Sequence, residues 1–334
     1  MKKPFTLFLY VLLILGIVTS TQAKSSDWET LVDESTSLFQ QGQYDRAEVV
    51  AKKALKVIED TVGPKHPNVG TSLTNLAEIY RVQGNYMQAE RFNIRALTIY
   101  EQALGPNHAV VGTSLNNLAS IYSLQGKYAQ AESLYKRALA IKEKTSGPKH
   151  PSVAMSLDNL AVLYATQGKY ALAEPLYKRS LTIRENALGN QHTLVGTSLN
   201  NLAELYRKQG RYALAEPLYK RSLAIKEKTQ GTDHPEVAMS LNNLALLYVG
   251  QDKYAHAESL FKRAVAINEK ALGADNPSLA SNLNNLGELY RKQGKFAQAE
   301  PLYKRSLAIY EKALGHDHTD VAMCLTDLLQ LVFK

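Results

Sequence analysis

The sequence predicts an all-α solenoid of about seven stacked helix pairs, closed by one further helix. Three observations predict it. A glycine recurs every 42 residues, at Gly63, Gly105, Gly147, Gly189, Gly231, Gly273 and Gly315. Between those glycines the apolar residues keep helical spacing, in two stripes parted by a second short break. Alanine, leucine and tyrosine dominate, and valine-rich alternating stretches are missing, which favours helix over strand. A fixed period of this size overrides the domain count that 334 residues would otherwise suggest.

The N-terminus is a separate object. Lys2 and Lys3 precede an apolar run from Phe5 to Val18, followed by small and polar residues ending at Ala23. That order is a secretory signal peptide, and the run is short of the roughly 20 residues a bilayer span needs. Residues 1–23 are expected to be removed, leaving 24–334 exported to a periplasm or the medium with no stable membrane span. An uncleaved anchor is the alternative. Cys324, the one cysteine, cannot make an intramolecular disulfide, so the exported chain must be held by its core. The formal charge of +8 loses two with Lys2 and Lys3, and the rest is interleaved with acids. Without a polybasic run, nucleic-acid binding is a poor fit.

One period from Ala109 to His150 shows how each element arises. Leu115, Leu118, Ala119 and Tyr122 make the stripe of an amphipathic helix. Gln125-Gly126-Lys127 interrupts it, with glycine suited to the positive φ that ends a helix. Tyr128, Ala131, Leu134, Tyr135, Ala138, Leu139 and Ile141 form the stripe of a second helix, which ends near Gly147. Helix pairs are expected at 26–63, 67–105, 109–147, 151–189, 193–231, 235–273 and 277–315, with a closing helix at 319–333. Each pair buries its faces only by stacking on neighbours. In the first pair the stripe is Trp28, Leu31, Ser35 and Leu38, and Asp33-Glu34 replaces the Asn-Leu of other repeats. Asp252 replaces a turn glycine, at about 1 kcal/mol if it keeps positive φ. Pro175, Pro217 and Pro301 lie past the first turn of second helices, where each should kink the helix without breaking it.

Six of the seven recurrent loops carry a histidine three residues past the glycine: His66, His108, His150, His192, His234 and His318, with Asn276 in the other. One histidine per pair of helix layers, each layer about 8–10 Å thick, cannot gather ligands within the 2.0–2.1 Å that zinc requires. Asn276 is also a weak zinc ligand. The expected role is structural, closing the loop and capping the helix that follows, where proline is well placed. His316 with Asp317 and His318 makes a weak metal site at most. No nucleophile–base–acid set, phosphate-binding glycine loop or paired-carboxylate motif occurs, so the sequence points to no enzyme, metal or cofactor.

With Gly112 as the first position, Leu115, Leu118, Ala119, Tyr122, Gly126, Tyr128, Ala131, Tyr135, Ala138 and Leu139 match the signature sites of the tetratricopeptide repeat, which the chain resembles. That family's usual period is 34 residues. The longer 42-residue form, with "NNLA..Y..QGKY..AE.LYKRAL", is similar to the kinesin light chain type. "VGTSLNNLA" (111, 195) also alternates with "VAMSLDNLA" (153) and "VAMSLNNLA" (237), an 84-residue doublet. The resemblance implies a right-handed superhelix whose first helices line a concave groove. It also implies that Asn75, Asn117, Asn159, Asn201, Asn243 and Asn285 face that groove and hold the backbone of an extended partner peptide. A carboxamide suits the role because it both donates and accepts; bonding only to neighbouring helices is the alternative.

Selectivity is expected from Glu78/Arg81, Glu204/Arg207/Lys208 and Glu288/Arg291/Lys292, set against apolar Val162/Ala165 and Leu246/Val249. Local Glu–Arg pairing is the alternative there too. Lys136/Arg137, Lys178/Arg179, Lys220/Arg221, Lys262/Arg263 and Lys304/Arg305 are expected on a solvated outer face, each lysine paired with the glutamate four residues before it. Leu328, Leu329, Leu331, Val332 and Phe333 cover more than one face of the closing helix, an end suited to a partner or a second copy. The function expected is an exported, non-enzymatic scaffold that binds an extended segment of a protein partner. The alternative is a structural spacer in an envelope assembly, using its ends and outer face.

Overall fold

The computed structural model describes residues 22–332. The expected signal peptide lies outside the described residues except for Gln22 and Ala23, and Phe333 lies outside them too. The described chain consists of helices α1 (Gln22–Gln40), α2 (Tyr44–Val62), α3 (Pro67–Val82), α4 (Tyr86–Leu104), α5 (Ala109–Leu124), α6 (Tyr128–Ser146), α7 (Pro151–Thr166), α8 (Tyr170–Leu188), α9 (Thr193–Lys208), α10 (Tyr212–Gln230), α11 (Pro235–Gly250), α12 (Tyr254–Leu272), α13 (Pro277–Lys292), α14 (Phe296–Leu314) and α15 (Thr319–Val332). They form seven pairs and a closing helix. By backbone contacts they divide at Gly147/Pro148 into two compact units, α1–α6 and α7–α15.

Within each pair the break follows the sequence. In α5–α6 the Lys127 N–H reaches back to Tyr122 O at 2.8 Å and Gly126 N–H to Ser123 O at 3.1 Å, closing the carbonyls that a helix end leaves open. Gly126 takes φ +75° there, which a Cβ disfavours. Asp252 is the one non-glycine residue with positive φ among the described residues, at φ +58°, and its carboxylate accepts from Tyr254 OH at 2.7 Å. Helices α8, α10 and α14 run unbroken through Pro175, Pro217 and Pro301.

The loop histidines are N-caps. Nδ1 of His66, His108, His150, His192, His234 and His318 accepts from the backbone N–H two residues on, at 3.1–3.3 Å, and Asn276 Oδ1 does the same at 2.9 Å. An acceptor at Nδ1 requires neutral imidazole with its proton on Nε2. Burial pushes the His66 pKa below its ordinary value. The unfolded chain therefore binds more protons just below about pH 6.5, so the capping stability is present above that pH and is lost as pH falls toward the folded value. His66→Ala should cost about 1 kcal/mol at pH 8, and less at pH 5. His66→Asn should keep the cap and remove its acid dependence. Urea denaturation at both pH values checks this.

Each unit has its own buried core. In the first unit Trp28, Ile58, Leu73, Tyr100, Leu115 and Ile141 pack together, and Trp28 Nε1 donates to Ser72 Oγ at 2.8 Å. Asp33 and Glu34 are exposed, as suits an end repeat with a polar outer side. In the second unit Val195, Leu199, Val237, Leu241, Leu283 and Ile309 recur in the corresponding clusters. At the other end α15 buries Val321 and Cys324 but leaves Met323, Leu325 and Leu329 exposed, with Leu328 and Leu331 half-buried.

One register of the second helices buries polar groups. Tyr100, Lys142, Arg184, Lys226, Asn268 and Tyr310 occupy it, one residue after a buried isoleucine. Lys142 Nζ donates to Thr113 Oγ1 at 2.8 Å. Arg184 pairs with Asp158 at 2.7 Å and donates to Ser198 Oγ. Lys226 is fully buried, with Glu236 3.6 Å away and no hydrogen bond to its amine.

Candidate peptide-binding face

All six asparagines singled out in the sequence lie half-buried on first helices: Asn75 and Asn117 in the first unit, Asn159, Asn201, Asn243 and Asn285 in the second. In the second unit α7, α9, α11 and α13 come into backbone contact along their row. The second helices stand farther apart and are bridged by long side chains, as in the pairs Arg221–Glu185 and Arg263–Glu227 at 2.8 and 2.7 Å. The row with the closer spacing is the inner one, so within this unit the first helices line the inside.

Part of the asparagine set works between helices. Asn243 Nδ2 donates to Asn200 Oδ1 at 3.0 Å, and Asn285 Nδ2 to Asn242 Oδ1 at 2.9 Å. Asn284 Nδ2 likewise donates to Asp327 Oδ2 at 2.9 Å. Asn284 is thus a donor, whereas Asn200 and Asn242, each the first asparagine of its Asn-Asn doublet, are the acceptors in this ladder and are buried. Sequence reasoning missed that partner, although the doublet itself was the signal. Asn201 makes no side-chain hydrogen bond among the described residues. The residue 43 positions before it is Asp158, whose Oδ2 is committed to Arg184 while its Oδ1 is buried without a partner.

The Glu–Arg sets are locked. Arg81, Arg207 and Arg291 each clasp the glutamate three residues back through two bonds of 2.6–2.8 Å. Two are braced from the second helix, by Tyr219 OH on Glu204 at 2.7 Å and Tyr303 OH on Glu288 at 3.0 Å. Burial pushes the Glu204 and Glu288 carboxyls up, but Arg207 with Tyr219, and Arg291 with Tyr303, hold them below the usual carboxylate range. Each glutamate is therefore ionised and neutralised by its arginine. Lys208, exposed and 3.9 Å from Glu204, leaves the set with one net positive charge; Lys292 stands equally exposed beside Glu288/Arg291.

Between α7 and α9 lies an open recess of about 170 Å³, walled by Val162, Ala165, Tyr177, Asn201, Glu204 and Lys208. The corresponding apolar residues of α11, Leu246 and Val249, are half-buried. On the second helices each lysine of the Lys-Arg pairs meets the glutamate four residues before it at 2.6–2.7 Å. Arg137, Arg221, Arg263 and Arg305 bridge to the glutamate 36 residues before. These charges satisfy one another, each exposed pair being worth little. Among the described residues no three His, Cys, Asp or Glu side chains gather as metal ligands, and no helix is long and apolar enough to cross a membrane.

Stacked helix pairs with amides and ion pairs along one row define a helical-repeat interaction scaffold. The tetratricopeptide repeat model matches residues 30–81, 72–144, 132–186, 194–270 and 278–334, and the chain belongs to that family. It is similar to a kinesin light chain protein of Podosopora anserina with nearly identical TPR-like repeats: 29% identity, 61% of this chain and 97% of that one, TM-score 0.51. It is similar also to BtubC (BKLC) from P. vanneervenii, at 24% identity over 72% of this chain and 93% of that one, TM-score 0.54. A Rap protein complexed with competence and sporulation factor shares the fold at 13% identity, over 92% and 98% of the two chains, TM-score 0.56. No curated protein matches the sequence.

Proposed function

We propose that this chain is an exported, non-enzymatic scaffold whose inner face holds an extended segment of a partner protein. The observation that carries this is the inner row of α7, α9, α11 and α13, where amides, braced Glu–Arg pairs and apolar side chains recur at one register. Braced side chains lose little freedom on binding, so contacts are not offset by ordering costs. That a Rap protein of the same fold forms a complex with competence and sporulation factor supports a binding role for such an array. Lys2, Lys3 and the apolar run support export, and the mature N-terminus should then be Lys24 by mass spectrometry.

The test is selection of displayed 12-residue peptides on the full chain, repeated on the Asn201→Ala, Asn243→Ala and Asn285→Ala triple variant. Peptides retained by the parent and lost by the folded variant support the inner face; equal retention overturns it. Singly, Asn243→Ala should lower stability by about 1 kcal/mol through its ladder bond, whereas Asn201→Ala should leave the denaturation midpoint unchanged. The second reading, a spacer working through its ends, rests on exposed Met323, Leu325 and Leu329. A strictly monomeric light-scattering profile at high concentration counts against it.

A further inference from the structure

The inner face of the second unit alternates in chemistry from layer to layer. Helix α7 presents Val162 and Ala165, α9 the set with Lys208, α11 Leu246 and Val249, and α13 the set with Lys292. Glu204 and Glu288 are each neutralised by the arginine three residues on, so both charged layers are cationic. Helices packed in contact lie about 8–10 Å apart. A β-strand, rising about 3.3 Å per residue with side chains alternating between faces, offers same-side positions about 7 or 13 Å apart and misses that spacing. A polyproline II segment rises about 3.1 Å per residue with three residues per turn, so every third side chain shares a face at about 9 Å. Its backbone makes no internal hydrogen bonds and is free to be held.

Resting on the inner-face reading above, we infer that the partner segment is an acidic polyproline II stretch in which apolar and carboxylate side chains alternate at every third residue. Its apolar residues meet α7 and α11, and its carboxylates meet Lys208 and Lys292. The recess between α7 and α9 is the anchor. Its volume of about 170 Å³ compares with the roughly 150 Å³ cavity that accepts one benzene, room for one aliphatic side chain or ring. Beside it stands Asn201, the one amide among Asn201, Asn243 and Asn285 whose donors are not spent on the ladder. Its carboxamide can pair with an N–H and a C=O of the segment at once. At the position that Asn200 and Asn242 hold in the following repeats stands Asp158, which is paired with Arg184.

The test uses fluorescence anisotropy of the full chain with four synthetic proline-rich peptides. One carries leucine and glutamate alternately at every third position; the second has every spacer lengthened by one residue. The third has lysine for glutamate, and the fourth has glycine for proline. The first should bind at least about tenfold more tightly than each of the others. Lys208→Glu with Lys292→Glu should invert the preference between the glutamate and lysine peptides. Asn201→Ala should weaken the first peptide about tenfold with unchanged circular dichroism. No binding of the first peptide, or equal binding of the shifted or lysine peptide, overturns the inference. The inner-face reading falls separately, if displayed peptides are retained equally by the asparagine triple variant.

Discussion

Arg184→Ala is expected to lower the stability of the second unit by about 3–5 kcal/mol, because it strands a buried carboxylate. Arg184 and Asp158 are 5% and 6% exposed, and their heads meet at 2.7 Å. Burial pushes the Asp158 carboxyl up, and only the guanidinium of Arg184 and hydrogen bonds from Ser180 and Arg184 oppose it. The array contains its own control. Two repeats later the same two positions are Asn242 and Asn268, and one repeat later they are Asn200 and Lys226. Asp158→Asn with Arg184→Asn should therefore recover most of the loss, since no buried charge remains. Urea denaturation followed by circular dichroism reads both. A double variant no more stable than Arg184→Ala would show that the arginine matters through its packing or its bond to Ser198, and not through the pair.

Lys226→Met should move stability the other way, upward by about 1–4 kcal/mol, the range seen when a buried ion pair gives way to an apolar side chain. Lys226 is 0% exposed, its nearest acid is 3.6 Å away, and its amine has no hydrogen bond. Methionine keeps the length of the stem and removes the desolvated charge. Glu236, left behind, is half-exposed in the first turn of α11, where the helix dipole favours an acid. The pH dependence is a second readout. Burial pushes the Lys226 pKa below its usual 10.5. Between the folded value and 10.5 the unfolded chain binds more protons, so the parent gains stability as pH rises through that window. The advantage of the variant should narrow from pH 7 to pH 10. A constant gap would mean that the amine is not titrating from a buried state.

The periodic parts of the protein were legible because they depend on near neighbours in the chain. Helix ends at Gly126, caps at His66 and its equivalents, and the lysine–glutamate pairs at four-residue spacing are set within one or two turns of backbone. Local bonding is the same wherever the repeat is placed, so spacing in the sequence was enough to place them. The six recurring asparagines fall on first helices for the same reason, but their division of labour was not visible. Whether an amide is spent depends on a partner in the neighbouring repeat, which for Asn243 and Asn285 stands 43 positions earlier. Asn201 and Asn243 are preceded and followed by nearly the same letters, yet Asn243 donates to Asn200 whereas Asn201 makes no side-chain hydrogen bond among the described residues. Where Asn243 has Asn200 one repeat before it, Asn201 has Asp158, paired with Arg184.

The buried register of Lys142, Arg184 and Lys226 was hidden for a related cause. These side chains sit beside the apolar stripe, and it is the packing of the next helix pair that buries them. Periodicity could announce that helix pairs stack, and which faces they turn inward. It could not say which polar groups the stacking would enclose, since desolvation is a property of packed neighbours and not of a residue's place in the chain.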